Sequence, residues 1–332
     1  MKRKFFFLLG FLVLLCCLNL CANSKNKNIE VTTHEYASKE KQALRLDVYV
    51  DTTAEVQGLR PVFIFSFGGG WEGGKREDGR PVLEHFAQKG YIAVGIDYRL
   101  GIRRLKDEGV KLDSTNFASA YGDAVRMGIE DLFDATRYVI DHAKEWQADT
   151  SLIVISGSSA GAINSITAEY LVCNDHPLAT SRLPEGFNYA AVIPCAGGIW
   201  VSNADTLVWR RKPCPIIAYH GTADQLVPYG KVVLQDGAFS AFGPDYYMPA
   251  VKAMGVPTLM HRYEGSDHII AGIYLKEEAR NEMTDNLSRL IFGKDLLHID
   301  TTEEYPERKP ATKTFRDTLK EMGIGAEPKV NN

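Results

Sequence analysis

Short apolar segments alternate with amphipathic segments along most of this 332-residue chain. Between Leu44 and Val50 every second residue is apolar, which predicts a strand with one buried face. Runs of consecutive apolar residues predict strands that helices cover on both faces. These runs lie at residues 62–65, 92–94, 152–155, 191–193 and 215–219. Between Val125 and Trp146 the apolar residues recur at steps of three and four, which predicts a helix of several turns.

The alternation of strands and helices predicts an α/β domain at residues 29–295 with a mostly parallel, doubly wound sheet. No helix is predicted between the strands that precede Val62, so these early strands should form an antiparallel edge. Three segments interrupt the alternation, namely residues 100–120, 199–212 and 235–249. We expect them to be short cap insertions that serve as lids or binding loops, with surface decoration as the alternative.

The first residues have the pattern of a secretory signal peptide, which we place at residues 1–22. A basic start at residues 2–4 precedes an apolar run at residues 5–18 and then a polar stretch. The apolar run is shorter than the ~20 residues that a membrane-spanning helix needs, which disfavours a permanent anchor. The segment also resembles a lipoprotein leader ending at Cys21, although Leu20 is larger than the usual preceding residue. We therefore expect an exported protein, periplasmic or extracellular, and leave open an outer-membrane lipoprotein.

Composition excludes several classes of protein. Apolar residues make up 45% of the chain and charged residues 24%, which is typical of a globular protein with a large core. The formal charge is −4 and there is no basic block, so a nucleic-acid partner is not expected. Residues 300–332 are rich in charge and in proline, which predicts a C-terminal tail with one short helix near residues 315–322. The oligomeric state is left open.

Three cysteines lie outside the leader: Cys173, Cys195 and Cys214. An odd number of cysteines cannot pair completely within one chain, so the sequence leaves open one disulfide or three buried thiols. The cysteines and histidines do not have the spacing of zinc ligands, and we predict no structural metal.

A G-x-S-x-G motif follows a predicted strand and opens a helical pattern. Its defining residues are Gly157, Ser159 and Gly161. Between a strand and a helix, this motif forms a tight turn that exposes the central hydroxyl group. The serine then lies at the helix N-terminus, where backbone N–H groups stabilise developing negative charge. Ser159 is therefore the predicted nucleophile, rather than Ser156 or Ser158, which are not centred between the glycines.

A serine hydroxyl is a weak nucleophile without a base, and histidine is the usual base. After such a motif, an acid and then the histidine follow along the chain. His268 lies on a loop after the last predicted strand and is the predicted base, whereas His261 would lie within that strand. His220 is expected to hold a turn by a hydrogen bond. Asp224 follows the penultimate strand and is the predicted acid, because Asp267 would point away from its own neighbour His268.

A glycine-rich segment at residues 67–71, F-G-G-G-W, follows the first fully apolar strand. Consecutive glycines allow backbone N–H groups to turn toward one point, where they would bind a tetrahedral oxyanion together with the N–H of Ala160. The predicted donors are Gly69, Gly70, Trp71 and Ala160. A phosphate-binding loop is the alternative, but the segment lacks the Lys-Ser/Thr pair and the G-x-G-x-x-G spacing.

In this order and spacing, the segments resemble the esterase/lipase branch of the α/β-hydrolase superfamily. That branch carries the motifs H-G-G-G-W, D-Y-R-L, G-x-S-A-G and H-G-T-x-D-x-x-V-P, followed by a late histidine. Residues 97–100, 157–161 and 220–228 match the last three motifs, and the resemblance extends over residues 31–292. Phe67 stands where the family usually has a histidine that supports the oxyanion loop.

The resemblance implies an α/β-hydrolase fold and hydrolysis of carboxylic esters through an acyl-serine, without a metal or an organic cofactor. Similar enzymes often remove acetyl or feruloyl groups from plant polysaccharides, so a small or polysaccharide-linked ester is the expected substrate. A serine peptidase of the prolyl-oligopeptidase type is one alternative, but the segment before the first buried strand is too short for a propeller blade of ~40–45 residues. A non-catalytic binding protein is another, and it would be expected to have lost a member of the triad.

Overall fold

The computed structural model describes residues 28–234 and 237–305, together with Asp317, Leu319 and Lys320. The predicted signal peptide and Cys21 lie outside the described residues. The three later residues are helical, within the segment where a short helix was predicted, and Leu319 is buried in the core. This part of the predicted tail therefore packs against the domain.

Strands and helices alternate along the described chain. The strands are β1 (Ile29–Lys39), β2 (Gln42–Asp51), β3 (Arg60–Ser66), β4 (Ile92–Ile96), β5 (Ala148–Ser158), β6 (Ala191–Cys195), β7 (Ile199–Val201), β8 (Ile216–Gly221), β9 (Lys231–Leu234), β10 (Phe239–Phe242), β11 (Thr258–Tyr263) and β12 (His298–Glu303). The α-helices are α1 (Arg80–Gln88), α2 (Gly101–Asp107), α3 (Phe117–Asp141), α4 (Ala143–Trp146), α5 (Ala160–Cys173), α6 (Pro177–Thr180), α7 (Pro244–Ala253) and α8 (Glu277–Leu287). Two 3-10 helices, Arg76–Gly79 and His268–Leu275, and a π-helical turn, Ser288–Phe292, complete the elements.

Among the described residues, nine strands form one sheet in the order β1-β2-β4-β3-β5-β6-β8-β11-β12. The pairs β1–β2 and β2–β4 are antiparallel, and the remaining pairs are parallel. Helices α3 and α5 contribute to the apolar core on one face, whereas α1 and α8 contribute to the core on the other. The predicted α/β-hydrolase fold, with its antiparallel N-terminal edge, is confirmed. Catalytic groups in such sheets collect at the carboxyl ends of the parallel strands.

The predicted end of the α/β domain at residue 295 is wrong, because β12 extends the sheet beside β11. Exposed and half-buried residues alternate along β12, and it carries no apolar run that would reveal a strand. The predicted single helix up to Trp146 is also interrupted, since α3 ends at Asp141 and a separate turn, α4, follows His142.

The insertions at residues 199–212 and 235–249, together with the four residues before the second one, form regular structure that the sequence pattern did not predict. Strands β7, β10 and β9 form a small antiparallel sheet in that order. They have only three, four and four residues, too few for a period to be recognised. In the described part of the chain, no helix is both long and apolar enough to cross a membrane.

Candidate active site

The predicted nucleophile Ser159 lies at the turn between β5 and α5 with φ 52° and ψ −118°. A residue other than glycine in such a conformation stores about 1–3 kcal/mol of strain. Its N–H donates to the carbonyl oxygen of Cys195 at 2.9 Å, which attaches the turn to β6. The helix also approaches β3 closely, since a Cβ on Gly161 would lie 2.1 Å from the carbonyl oxygen of Ser66. The strand, turn and helix that the motif requires are therefore present.

The three residues of the predicted triad are in contact. Nε2 of His268 lies 2.7 Å from Oγ of Ser159, and its Nδ1 lies 2.7 Å from Oδ2 of Asp224. Because a carboxylate only accepts hydrogen bonds, the Asp224 contact places the imidazole proton on Nδ1 and leaves Nε2 free to accept the serine proton. The structure brings the three side chains together, and their catalytic roles stay a prediction.

The loops that carry the acid and the histidine are bonded to each other. They follow the neighbouring parallel strands β8 and β11. Backbone N–H groups of Thr222 and Ala223 donate to the carbonyl oxygens of Tyr263 and Ser266, each at 3.0 Å. The Thr222 hydroxyl in turn accepts from the N–H of Gly265 at 2.8 Å. Strand pairing therefore explains how residues distant in sequence meet at one edge of the sheet.

Asp224 is buried, and its second oxygen is also paired. Oδ1 accepts from the backbone N–H groups of Leu226 and Val227 at 2.8 and 2.9 Å. Burial of Asp224 opposes its ionisation, but the hydrogen bond and charge of His268 and these N–H groups outweigh burial, so the pKa of Asp224 is lowered. The site thus holds a buried carboxylate in its charged form.

His220 has the turn-stabilising position that the sequence predicted. Its Nε2 lies 3.1 Å from the carbonyl oxygen of Val227, at the end of the turn that contains Asp224. Burial lowers the pKa of His220, which favours the neutral ring that donates to this carbonyl. The hydrogen-bonding expectation for His220 is confirmed. His261, the other rejected histidine, is buried in β11 and stacks on Tyr219 with ring centroids 4.6 Å apart.

Two residues beside the triad have structural partners. Oδ1 of Asp267 accepts from the N–H of Ile269 at 3.1 Å and caps the 3-10 helix that begins at His268. The hydroxyl of Ser158 donates to the carbonyl oxygen of Ala271 at 2.8 Å and so connects β5 to the same 3-10 helix. The sequence analysis did not predict the contact between Ser158 and Ala271. The one feature that could have indicated it is the position of Ser158 directly before the nucleophile.

The glycine-rich segment lies against the nucleophile turn. A Cβ on Gly68 would lie 3.2 Å from Cβ of Ser159. Gly69, Gly70 and Trp71 all have positive φ angles, of 121°, 63° and 57°. The segment therefore curls in the left-handed region directly beside Ser159. Ala160, the fourth predicted donor, is the first residue of α5. The oxyanion role of these four residues stays a prediction.

Phe67 shows how this segment is supported without the usual histidine. Its ring is buried and stacks on Tyr98 with centroids 4.3 Å apart. The Tyr98 hydroxyl donates to the carbonyl oxygen of Phe67 at 2.8 Å. In the same block, Arg99 pairs with the buried carboxylate of Asp131 at 2.8 Å. Tyr98 therefore supports the first residue of the glycine-rich segment, both by stacking and by a hydrogen bond.

The cysteines do not join this site through a disulfide. Cys173, Cys195 and Cys214 are all buried free thiols, and burial raises the pKa of each. Of the two states left open by the sequence, the structure therefore has three buried thiols. Within residues 28–234 and 237–305, no group of three His, Cys, Asp or Glu side chains is placed to hold a metal ion.

Comparisons with known proteins agree with the fold described above. The BD-FAE family model matches residues 46–197. The esterase Est2 of the planctomycete Thermogutta terrifontis has a similar structure, with a TM-score of 0.54 and 23% sequence identity over 80% of this chain and 94% of that one. Esterase B from Lactobacillus rhamnosis gives a TM-score of 0.56 with 16% identity, over 86% of this chain and 94% of that one. These structural similarities show that the chain has the α/β-hydrolase fold.

Two curated relatives have related names. A probable carboxylic ester hydrolase, LipM, from Mycobacterium tuberculosis is 29% identical over 151 residues, which are 45% of this chain and 29% of that protein. A fumonisin B1 esterase from Sphingopyxis macrogoltabida is 30% identical over 127 residues, or 38% of this chain and 22% of that protein. The chain thus covers less than a third of the length of either relative.

Proposed function

We propose that this chain is an exported serine hydrolase that cleaves short-chain carboxylic esters. The observation that carries the proposal is the continuous contact of Ser159 with His268 and of His268 with Asp224, each at 2.7 Å. The similarity to proteins named as carboxylic ester hydrolases and esterases supports the same bond type.

The reaction follows from the positions of these groups. Oγ of Ser159 attacks the ester carbonyl carbon while Nε2 of His268 takes its proton. The carbonyl oxygen becomes an oxyanion, which the N–H groups of residues 69–71 and Ala160 stabilise. Collapse of this intermediate transfers the proton from His268 to the leaving alcohol and leaves an acyl-serine. A water molecule then gives a proton to His268 and attacks the acyl-serine, which releases the carboxylic acid and restores Ser159. Asp224 holds the imidazole throughout.

Small acyl groups are the proposed substrates. The insertion sequences carry polar and aromatic residues rather than a long aliphatic stripe. One of these residues, Trp200, packs against Trp71 with ring centroids 5.6 Å apart. One structure of the Thermogutta esterase is described as propionate-bound, which supports a preference for short acids. A polysaccharide-linked acetyl or aryl ester is the proposed natural form, on the analogy of similar enzymes alone.

Export is proposed from the basic and apolar pattern of residues 1–22. Fractionation of cells that express the full chain tests it, because a cytoplasmic, uncleaved product would contradict it. Radiolabelled palmitate incorporation, compared between the natural chain and Cys21→Ala, distinguishes a lipoprotein from a secreted protein.

A substrate panel tests the reaction. Nitrophenyl esters of increasing acyl length should be assayed beside acetylated xylan, a feruloyl ester and a prolyl-peptide substrate, with Ser159→Ala as the background. We expect the highest kcat/KM with acetyl or butyryl esters and a loss on the order of 10⁶ in kcat for Ser159→Ala. Faster cleavage of long-chain esters would refute the chain-length preference. Near-normal turnover by folded Ser159→Ala would refute the proposed nucleophile, and cleavage of the peptide alone would indicate a peptidase.

A further inference from the structure

The glycine-rich segment is joined to the helix of the nucleophile by a buried hydrogen bond. Nε1 of Trp71 donates to Oδ1 of Asn164 at 3.0 Å. Trp71 is the last of the predicted oxyanion donors in its segment, and Asn164 lies in α5, which begins directly after Ser159. The two side chains are 1% and 0% exposed. The bond therefore spans the two elements from which the oxyanion site would be built.

Trp71 is restrained on other sides as well. Its carbonyl oxygen accepts from the N–H groups of Ile102 and Arg103, each at 3.1 Å, at the start of α2. Its ring contacts Tyr121 and Trp200 with centroids 6.0 and 5.6 Å apart. These contacts restrain the backbone and the ring plane, while Asn164 accepts the indole N–H and so sets the direction of the ring within that plane.

Asn164 itself carries an unpaired group. Within the described part of the chain its Nδ2 is buried without a hydrogen-bond partner. Helix α3 passes close by, since a Cβ on Gly128 would lie 2.5 Å from Nδ2. If the amide oxygen and nitrogen of Asn164 were exchanged, Nδ2 would face the indole N–H of Trp71, and two donors would oppose each other. The hydrogen bond therefore fixes the orientation of the amide group. A buried donor without a partner disfavours the folded state, and replacing both members of a buried pair by apolar groups can be nearly neutral. Stability alone therefore does not explain this asparagine.

We infer that Asn164 is a positioning residue that, through the indole of Trp71, holds the N–H groups of residues 69–71 in register with Ser159. The inference rests on the proposed function. Donors that are already aligned stabilise an oxyanion without reorganisation at the moment of reaction. Because the oxyanion forms after the substrate has bound, loss of the alignment lowers kcat and leaves KM nearly unchanged.

Paired variants test this role. Asn164→Leu and Trp71→Phe are made singly and together, and Thr136→Val with Tyr189→Phe serves as the matched control. The control removes another buried hydrogen bond to an aromatic side chain, the 3.1 Å contact between Thr136 Oγ1 and the Tyr189 hydroxyl. The measurements are kcat and KM for 4-nitrophenyl acetate, the rate at which a fluorophosphonate modifies Ser159, and Tm.

We expect Asn164→Leu/Trp71→Phe and the control pair to have similar Tm values. The Asn164 pair should lower kcat and the phosphonylation rate by about ten- to a hundredfold, somewhat less than the loss of an oxyanion donor, while the control pair changes neither. The two single variants should not be additive, because either one breaks the same bond. Asn164→Asp, which keeps an acceptor for the indole, should retain more kcat than Asn164→Ala.

Several results overturn the inference. An unchanged kcat in the folded double variant does so, as does an equal loss in the control pair. If the double variant does not fold, equal kcat values for Asn164→Asp and Asn164→Ala overturn it. A natural chain that neither cleaves esters nor reacts with the fluorophosphonate refutes the proposed function, and the inference with it. A natural chain that does both, with unaffected variants, refutes the inference alone.

Discussion

Two acids, Asp224 and Glu169, are almost completely buried, with exposures of 3% and 0%, yet their pKa values are shifted in opposite directions. The pKa of Asp224 is lowered, whereas the pKa of Glu169 is raised because burial prevails over its few donors. Oε1 of Glu169 accepts from the N–H of Cys214 at 2.7 Å and from the thiol of Cys173 at 3.1 Å. Within the described residues, its Oε2 has no hydrogen-bond partner.

The difference shows that burial alone does not decide the direction in which the pKa of a carboxyl group shifts. Burial opposes ionisation of both acids. Asp224 remains charged because a base, His268, and two backbone N–H groups face its two oxygens. Glu169 faces a weak thiol donor and a single N–H, so burial prevails and its pKa is raised. One acid can thus orient an imidazole, and the other is a packed polar residue of α5.

The largest expected difference concerns turnover when each acid is replaced by its amide. Asp224→Asn should hold His268 in the wrong tautomer and lower kcat by roughly 10⁴. Glu169→Gln, the matched variant, should keep kcat within about twofold, because the carboxyl and amide groups are nearly isosteric and Glu169 is not a member of the triad. Steady-state kinetics on an acetyl ester measures both.

Equal losses of turnover in the two variants would contradict this contrast. Circular dichroism and Tm, measured on both proteins, separate a loss of turnover from a loss of folding. A severe effect of Glu169→Gln on kcat without a change in Tm would assign Glu169 a role in the reaction.

The second prediction concerns how stability depends on pH. A lowered folded-state pKa means that Asp224 stabilises the fold above its ordinary pKa of about 3.9, and that this contribution disappears as pH falls through the folded-state pKa. A raised pKa means the reverse for Glu169. Its contribution is complete below the ordinary value of about 4.3 and is lost as pH rises through the folded-state pKa.

Urea unfolding between pH 3 and pH 9 measures these contributions. Relative to the natural chain, Glu169→Gln should become progressively more stable as pH rises. The stability advantage of the natural chain over Asp224→Asn should shrink as pH falls below the ordinary range of aspartate. If the free energy of unfolding depended on pH in the same way for the natural chain and Glu169→Gln, the pKa of Glu169 would not be raised.

The smallest expected effect is that of Asp267→Asn. Asparagine caps helices about as well as aspartate does, so the contact with Ile269 should survive and kcat should fall by less than about tenfold. Kinetics of this variant beside Asp224→Asn distinguishes the two candidate acids. A severe loss of kcat in Asp267→Asn, together with a nearly normal kcat in Asp224→Asn, would make Asp267 the acid of the triad instead of Asp224.

Much of this molecule is determined by local pattern. Apolar runs report strands buried on both faces, so the central strands and the mostly parallel α/β sheet were predicted correctly, whereas the α/β-hydrolase fold was implied by the resemblance of the motifs. The strand–turn–helix context of Ser159 is also local, because the glycines and the neighbouring strand lie within a few residues. His268 and Asp224 could be selected because parallel strands place their following loops at one edge of the sheet.

Other features depend on contacts that no local period reports. Strand β12 is polar and half-exposed and is a strand only because β11 offers an edge. The hydrogen bond between Trp71 and Asn164 joins residues 93 positions apart. The raised pKa of Glu169 results from its burial, at a place where this residue of α5 packs against Cys214. Periodicity records which face of a segment is apolar, whereas hydrogen-bond partners and the charge of a buried acid are set by whichever distant groups packing brings against them.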